Sequence, residues 1–193
     1  WRLLPVTDIY EPGSTFKVIT AAAGIEEKIV DLDTKIPVPD VLKIGNSTIK
    51  NSHAVIRDKP FKTLRDVIAE SLNTGTSYIG LKLGAERFYR IIKAFGFGEL
   101  TGIEFPGEQV GIIKEVGKWM EIDCATITFG QSIAVTPIQI LCAICAIANN
   151  GAAMKPRLIS KIESIDKDII RSEPLKIKNR SISKTTALKV IEL

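Results

Sequence analysis

The segment from Tyr10 to Thr20 reads YEPGSTFKVIT and places a serine and a lysine three residues apart at the start of an apolar helix. Positions i and i+3 share one helical face, so the Ser14 hydroxyl and the Lys17 amine can come within hydrogen-bond reach. Burial and the helix N-terminus both disfavour a protonated amine, which lets such a lysine act as a base near neutral pH. The alternative is that Ser14 only caps the helix while Lys17 is solvated.

The S-x-x-K spacing by itself is weak evidence, because it occurs four times in the chain. The pairs are Ser14/Lys17, Ser47/Lys50, Ser164/Lys167 and Ser181/Lys184. Only the first pair opens a helix that continues apolar. We therefore take Ser14 and Lys17 as the candidate catalytic pair.

Two further segments stand out downstream. Ser71-Leu72-Asn73 is the one S-x-N in the sequence, and we expect it at a helix break, where polar side chains can point into a cleft. In isolation, a simple polar helix end explains it equally well. The segment TFGQSIAVTPIQI, from Thr128 to Ile140, combines a turn glycine with a capped apolar helix and carries no chemistry by itself.

The periodicity predicts a mostly helical chain. We expect Thr63 to cap a helix with Asp66 in its first turn, a break at Gly75 followed by a helix from Ser77 to Leu83, and a helix that ends at Gly96. Thr136-Pro137 opens a helix that is apolar nearly all round, and this predicts a buried central helix. Two hairpins are expected, at Gly45-Asn46 and around Asp166-Lys167-Asp168, and Ser183 is expected to cap the final helix.

Length and composition describe one ordinary domain. The 193 residues are 45% hydrophobic, enough for a sizeable core, and the net charge is +4. From Lys155 onward there are ten Lys/Arg and five Asp/Glu but no aromatic residue, so we expect no nucleic-acid partner. The most apolar run, Ile138 to Ala148, is about half the ~20 residues that a membrane span needs.

The cysteines and the histidine suggest no metal or redox centre. Cys142 and Cys145 form a C-x-x-C, which suits redox or metal chemistry, but no second ligand pair accompanies them. We expect these two and Cys124 to be buried thiols. The lone His53 is assigned to a polar loop without a role. No cofactor and no metal are therefore expected.

The order of the motifs carries more information than each motif alone. S-x-x-K followed by S-x-N is the arrangement of penicillin-interacting serine acyltransferases. Five segments, YEPGSTFK, TLRDVIAESLNTG, FGFGELTGIEFPGE, ATITFGQSIAVTPIQ and IANNGAAMKPRLI, resemble the transpeptidase domain of class B penicillin-binding proteins, in the manner of cell-division or sporulation members. The resemblance implies an α+β, β-lactamase/transpeptidase-like fold, of which residues 1–193 hold mainly the helical part with few strands.

The resemblance also implies a D,D-transpeptidase that cross-links peptidoglycan stem peptides and is inhibited by β-lactam antibiotics. In that scheme Ser14 is the nucleophile, and Lys17 takes its proton. Ser71 relays a proton toward the leaving amine, while Asn73 binds Lys17 and the substrate backbone. The partners expected are stem peptides, β-lactams and membrane-bound cell-wall synthesis proteins.

The sequence departs from the family pattern in three ways. The third motif, K-[ST]-G, is missing, because neither Lys62-Thr63-Leu64 nor Lys184-Thr185-Thr186 fits its place. Together with the start at Trp1, this leads us to expect a domain truncated at both ends, with an uncovered apolar face and poor solubility. An N-terminal anchor outside the chain would hold it at the extracytoplasmic face of the cell membrane.

Ser132 stands where the family usually has a glycine, and its backbone would be strained if that position needs a positive φ.

Two other functions share part of this sequence pattern. A serine β-lactamase would share Ser14 and Lys17 but needs a group that activates a deacylating water, and we find no motif for one. A non-catalytic or truncated β-lactam-sensing module would keep the fold and lose turnover. This second alternative stays open at the level of sequence.

Overall fold

The computed structural model describes residues 2–52, 60–166 and 168–193, and helices dominate this part of the chain. The α-helices are α1 (Leu4–Thr7), α2 (Lys17–Glu26), α3 (Leu64–Ala69), α4 (Asn73–Leu83), α5 (Ala85–Ala94), α6 (Glu121–Thr126), α7 (Pro137–Ala148) and α8 (Lys184–Ile191). Short 3₁₀ turns cover Gly13–Phe16, Val116–Lys118 and Ile127–Phe129.

The strands are short and pair only two by two in the described residues. They are β1 (Ile36–Pro37), β2 (Val41–Ile44), β3 (Ser47–Lys50), β4 (Phe61–Lys62), β5 (Ala152–Met154), β6 (Lys161–Glu163), β7 (Ile169–Ser172) and β8 (Ile177–Arg180). The antiparallel pairs are β1–β4, β2–β3, β5–β8 and β6–β7. Both expected hairpins are therefore confirmed, β2–β3 at Gly45-Asn46 and β6–β7 near Asp166, while Lys167 lies outside the described residues.

Helix α2 lies at the centre of the core. Its residues Ala21, Ala22 and Ala23 have no exposed surface, and the helix packs against α4, α8 and the 3₁₀ turn Ile127–Phe129. Just before the helix, the buried ring of Phe16 contacts that of Phe97, with 5.1 Å between centroids. A fully buried apolar side chain of this size contributes about 1.5–3 kcal/mol to stability. The turn that carries Ser14 is thus anchored on the most deeply buried helix.

The break predicted at Gly75 is wrong, because α4 runs through it from Asn73 to Leu83. Gly75 serves packing instead: a Cβ at that position would lie 2.7 Å from the side chain of Val67. A Cβ on Gly80 would lie 2.2 Å from the carbonyl oxygen of Cys124, so α4 and α6 approach closely there. The chain breaks earlier, at Ser71, whose φ is +53°.

The predicted helix caps are confirmed. The Thr63 hydroxyl accepts from the Asp66 N–H, and the Asp66 carboxylate accepts from the Thr63 N–H, which makes a complete capping box at α3. Thr136 and Gln139 form the same arrangement at α7, where Pro137 takes the first helical position. Ser183 accepts from the Thr186 N–H at the start of α8.

Helix α7 is not the buried central helix that its composition predicted. Only one face is buried, while Leu141 and Ile144 on another face are 56% and 39% exposed. A helix that is apolar all round can be buried on every side only if neighbours surround it, and its own sequence does not show where those neighbours are. Leu141 and Ile144 thus add exposed apolar surface to α7.

The position of α7 also corrects the assignment of the cysteines. Cys124 is buried as predicted, and Cys142 is half-buried, with burial raising the pKa of its thiol to about 11. Cys145 is exposed, so the buried-thiol prediction is wrong there. His53 lies outside the described residues.

No α-helix in the described ranges has the length and apolar character that crossing a membrane requires. Those ranges likewise contain no group of three or more His, Cys, Asp or Glu side chains suited to hold a metal ion.

Candidate active site

Ser14 occupies a tight turn rather than a helix cap. Gly13, with φ +58°, begins the 3₁₀ turn, and α2 continues from Lys17. The Ser14 side chain is exposed and makes no capping hydrogen bond to α2, which removes the simple cap interpretation. N–H groups at the start of a helical turn lack partners within that turn, and the Ser14 N–H is one of them.

Lys17 is buried, with only 2% of its surface exposed. Its Nζ donates to the Ser71 carbonyl oxygen at 2.5 Å and to the Ser71 Oγ at 2.9 Å. Burial lowers the pKa of the amine from 10.5 to about 8, because a charged ammonium is poorly solvated there. An amine with this pKa can accept a proton near physiological pH.

Ser71 links the lysine to the candidate nucleophile. Its Oγ donates to the Ser14 Oγ at 3.1 Å, so a continuous chain of hydrogen bonds runs from Lys17 through Ser71 to Ser14. Among the described residues no direct hydrogen bond joins Lys17 to Ser14, although their spacing predicted that the two groups come within reach. Ser71 has φ +53°, and in this conformation its carbonyl oxygen and its hydroxyl both accept from Lys17. A left-handed conformation at a non-glycine residue costs about 1 kcal/mol, and such strain is common at functional sites.

Asn73 lies at the same cleft but has another partner. Its Nδ2 donates to the Lys50 carbonyl oxygen of β3 at 2.9 Å, and no hydrogen bond to Lys17 is formed in the described part of the chain. The neighbouring Thr74 N–H donates to the Asn51 Oδ1. The S-x-N segment is therefore attached to the β2–β3 hairpin rather than to the buried amine.

A cavity of about 310 Å³ opens beside Asn73. Its lining is mostly polar and includes Lys50, Thr126 and Gln131, with Phe129 as an apolar wall. Asn73 is the member of the candidate set that lines this cavity, whereas Ser14, Lys17 and Ser71 do not line it.

The segment 130–135 packs against the turn that carries Ser14, and the sequence had shown no chemical role for this segment. The Gly13 N–H donates to the Gly130 carbonyl oxygen, and a Cβ on Gly130 would lie 2.3 Å from the Gly13 carbonyl oxygen. The signal available in the sequence was the turn glycine in TFGQS. Ser132 has φ +60°, which confirms that its position requires the conformation that glycine adopts more easily.

The geometry agrees with a comparison of the chain with protein families. The model described as the penicillin-binding protein transpeptidase domain matches residues 1–193. The chain belongs to this family. The expected β-lactamase/transpeptidase-like fold is thereby confirmed, with the helical part of that fold dominating the described residues.

Relatives of this transpeptidase domain include stage V sporulation protein D of Bacillus subtilis, which is 33% identical over 98% of this chain and 29% of its own length. A probable peptidoglycan D,D-transpeptidase, PenA of Neisseria gonorrhoeae, is 30% identical over 77% of this chain and 25% of its own length. The chain thus spans less than a third of either curated relative.

A solved structure of penicillin-binding protein 3 from Mycobacterium tuberculosis, complexed with aztreonam, superposes on this transpeptidase domain with a TM-score of 0.86. The two are 30% identical, and the match covers 97% of this chain and 41% of the solved one.

Proposed function

We propose that this domain belongs to a D,D-transpeptidase that cross-links peptidoglycan stem peptides through an acyl-enzyme on Ser14. One observation carries the proposal: the Ser14 hydroxyl is hydrogen-bonded through Ser71 to the buried amine of Lys17, whose pKa is about 8. The names of the relatives and the aztreonam complex support the same class of reaction.

The first half-reaction follows from this chain of hydrogen bonds. At pH 7 an amine with a pKa of about 8 is neutral in about a tenth of molecules. In that state Ser14 can donate to Ser71, and Ser71 to Lys17. As the Ser14 Oγ attacks the carbonyl carbon of the penultimate D-alanine, its proton moves to Ser71, and the Ser71 proton moves to Lys17. The peptide C–N bond then breaks, and the terminal D-alanine leaves with a proton returned through the same groups.

The second half-reaction transfers the acyl group. An amine of a neighbouring stem peptide attacks the ester carbonyl, the bond to the Ser14 Oγ breaks, and the Ser14 oxygen regains a proton from the attacking amine through Ser71 and Lys17. A β-lactam would acylate Ser14 in the same way, but its leaving group stays tethered to the acyl group. Asn73, which lines the cavity, would bind the substrate backbone.

The proposal is tested by labelling the complete protein with a fluorescent penicillin. We expect wild type to be labelled, Ser14→Ala to remain unlabelled, and Ser172→Ala, which removes an exposed serine hydroxyl on β7, to label normally. Peptide mass mapping should place the adduct on Ser14. An adduct on another residue, or none at all, would reject the proposal.

Release of D-alanine from a synthetic stem peptide separates the transpeptidase from the β-lactam-sensing alternative. Labelling without D-alanine release would favour the sensing module. Location at the extracytoplasmic face of the membrane and association with membrane-bound cell-wall synthesis proteins belong to the same proposal and would be tested by fractionation and co-purification.

A further inference from the structure

Residues 10–14, which carry the proposed nucleophile and are called the nucleophile turn, run beside the segment 130–135. The two segments are joined at both ends. Tyr10 and Val135 exchange two main-chain hydrogen bonds, of 3.0 and 2.9 Å. At the other end the Gly13 N–H donates to the Gly130 carbonyl oxygen at 3.2 Å. Because Gly13 directly precedes Ser14, the register of the two segments sets where the Ser14 hydroxyl lies relative to Ser71.

One side chain joins the segments between these two ends. The Glu11 Oε1 accepts from the Ser132 N–H at 2.9 Å. The Ser132 hydroxyl is in turn 2.9 Å from that of Thr126, so the N–H and the hydroxyl of this residue both have partners. The Glu11 side chain is exposed and contributes nothing to the apolar core.

Ser132 needs such a restraint because of its backbone conformation. Its φ of +60° is unfavourable for any residue with a Cβ, and without an opposing interaction the turn would relax toward a negative φ. Relaxation at Ser132 would move Gly130, two residues away, which packs directly on Gly13. Displacements of about 0.5 Å are enough to impair a catalytic constellation.

We propose that Glu11 is a positioning residue for acylation: by accepting from the Ser132 N–H, it holds the strained turn against the nucleophile turn and keeps the Ser14 hydroxyl in line with Ser71. The inference rests on the proposed function of Ser14. It adds a residue outside the S-x-x-K and S-x-N motifs to the machinery of that site.

The test measures acylation of the complete protein by a fluorescent penicillin over a range of concentrations, which separates the limiting acylation rate from the dissociation constant of the initial complex. For Glu11→Ala we expect the limiting rate to fall about 10- to 100-fold, as for the loss of one hydrogen bond to a charged group, with a dissociation constant within about twofold of wild type. Glu115→Ala, which removes another exposed glutamate, is the matched control and should change neither value.

Two rescues distinguish positioning from a general loss of stability. Glu11→Gln keeps an acceptor oxygen and should restore the rate to within about threefold of wild type. Adding Ser132→Gly to Glu11→Ala should restore most of the rate, because glycine adopts this φ without strain. Glu11→Asp keeps the carboxylate on a shorter side chain, so its acylation rate should lie between those of wild type and Glu11→Ala. This variant replaces Glu11→Ala in the test if that protein fails to fold.

A wild-type rate in Glu11→Ala or Glu11→Asp would overturn the inference, as would a Glu11→Gln protein as slow as Glu11→Ala or the absence of rescue by Ser132→Gly. These results are separable from a failure of the proposed function. That failure would appear as an unlabelled wild type or a labelled Ser14→Ala protein, whatever the behaviour of the Glu11 variants.

Discussion

Lys17 and Ser71 are joined twice, since the amine of the lysine donates both to the main-chain oxygen and to the hydroxyl of the serine. The two residues are 54 positions apart in the sequence. This double contact fixes the buried amine at one end of the hydrogen-bond chain and depends on the left-handed backbone of Ser71. The hydroxyl and the backbone conformation of Ser71 therefore have separate, testable consequences.

Replacing Ser71 with alanine or with glycine should separate these two effects. Both variants lose the hydroxyl, so we expect β-lactam acylation to fall about 10²–10⁴-fold in each. Glycine tolerates φ +53°, so Ser71→Gly should be more stable than Ser71→Ala by roughly 0.4–1 kcal/mol. Acylation kinetics and denaturant unfolding measure the two quantities. Equal stabilities would show that Ser71 is not strained.

The acylation rate should depend on the protonation state of Lys17. Because the proposed base is the neutral amine, the limiting rate should rise about tenfold per pH unit at low pH and level off above the pKa of about 8. Acylation rates measured over a series of pH values, with a fluorescent penicillin that is chemically stable over that pH range, give this profile. A rate that falls as the pH rises through 8 would mean that the ammonium, not the amine, is the active form.

The same pKa shift makes a prediction about stability. The folded protein binds the Lys17 proton less tightly than the unfolded chain does, so the unfolded state holds more protons between pH 8 and 10.5. The free energy of unfolding of wild type, measured relative to Lys17→Met, should therefore increase as the pH rises through this window and stay constant below it. A difference that does not vary with pH would indicate an unshifted lysine.

Gly130→Ala should disrupt the contact between the two turns. Its Cβ would lie 2.3 to 2.8 Å from main-chain atoms of Gly13, and φ is +74° at this position. We expect a loss of about 2–4 kcal/mol of stability together with slow acylation. Gly117→Ala is the matched control, because no atom lies within 4 Å of its Cβ and its φ is ordinary. Similar losses in both variants would contradict the proposed contact.

The isolated 193-residue chain should self-associate through its exposed apolar side chains. Leu141 and Ile144 lie one helical turn apart on α7 and are both exposed. Light scattering should show aggregation that the double change Leu141→Gln with Ile144→Gln reduces. Changing the buried Ala143 to Gln instead should lower stability without reducing association. A monodisperse, cooperatively melting wild-type sample would refute this expectation.

Local structure was readable from the sequence wherever neighbouring residues decide it. The caps at Thr63 and Thr136 and the turn at Gly45-Asn46 depend on side chains within three residues, and each was predicted correctly. The order of S-x-x-K and S-x-N indicated the wider group of serine acyltransferases, and five segments that resemble the transpeptidase domain indicated the family. The Gly75 break was predicted wrongly because a helical glycine that packs against Val67 looks the same in sequence as one that ends a helix.

The sequence by itself determined most helices and their caps, because these depend on short-range spacing, and it supplied the candidates Ser14, Lys17, Ser71 and Asn73 through residue chemistry and the family resemblance. Only the tertiary structure decided that Ser71 stands between Lys17 and Ser14, that Asn73 binds Lys50, and that α7 exposes one face. The physical reason is that hydrogen-bond partners and burial depend on segments brought together from distant parts of the chain. The lowered pKa of Lys17 arises in the same way, since its amine is desolvated only once the core has formed around it.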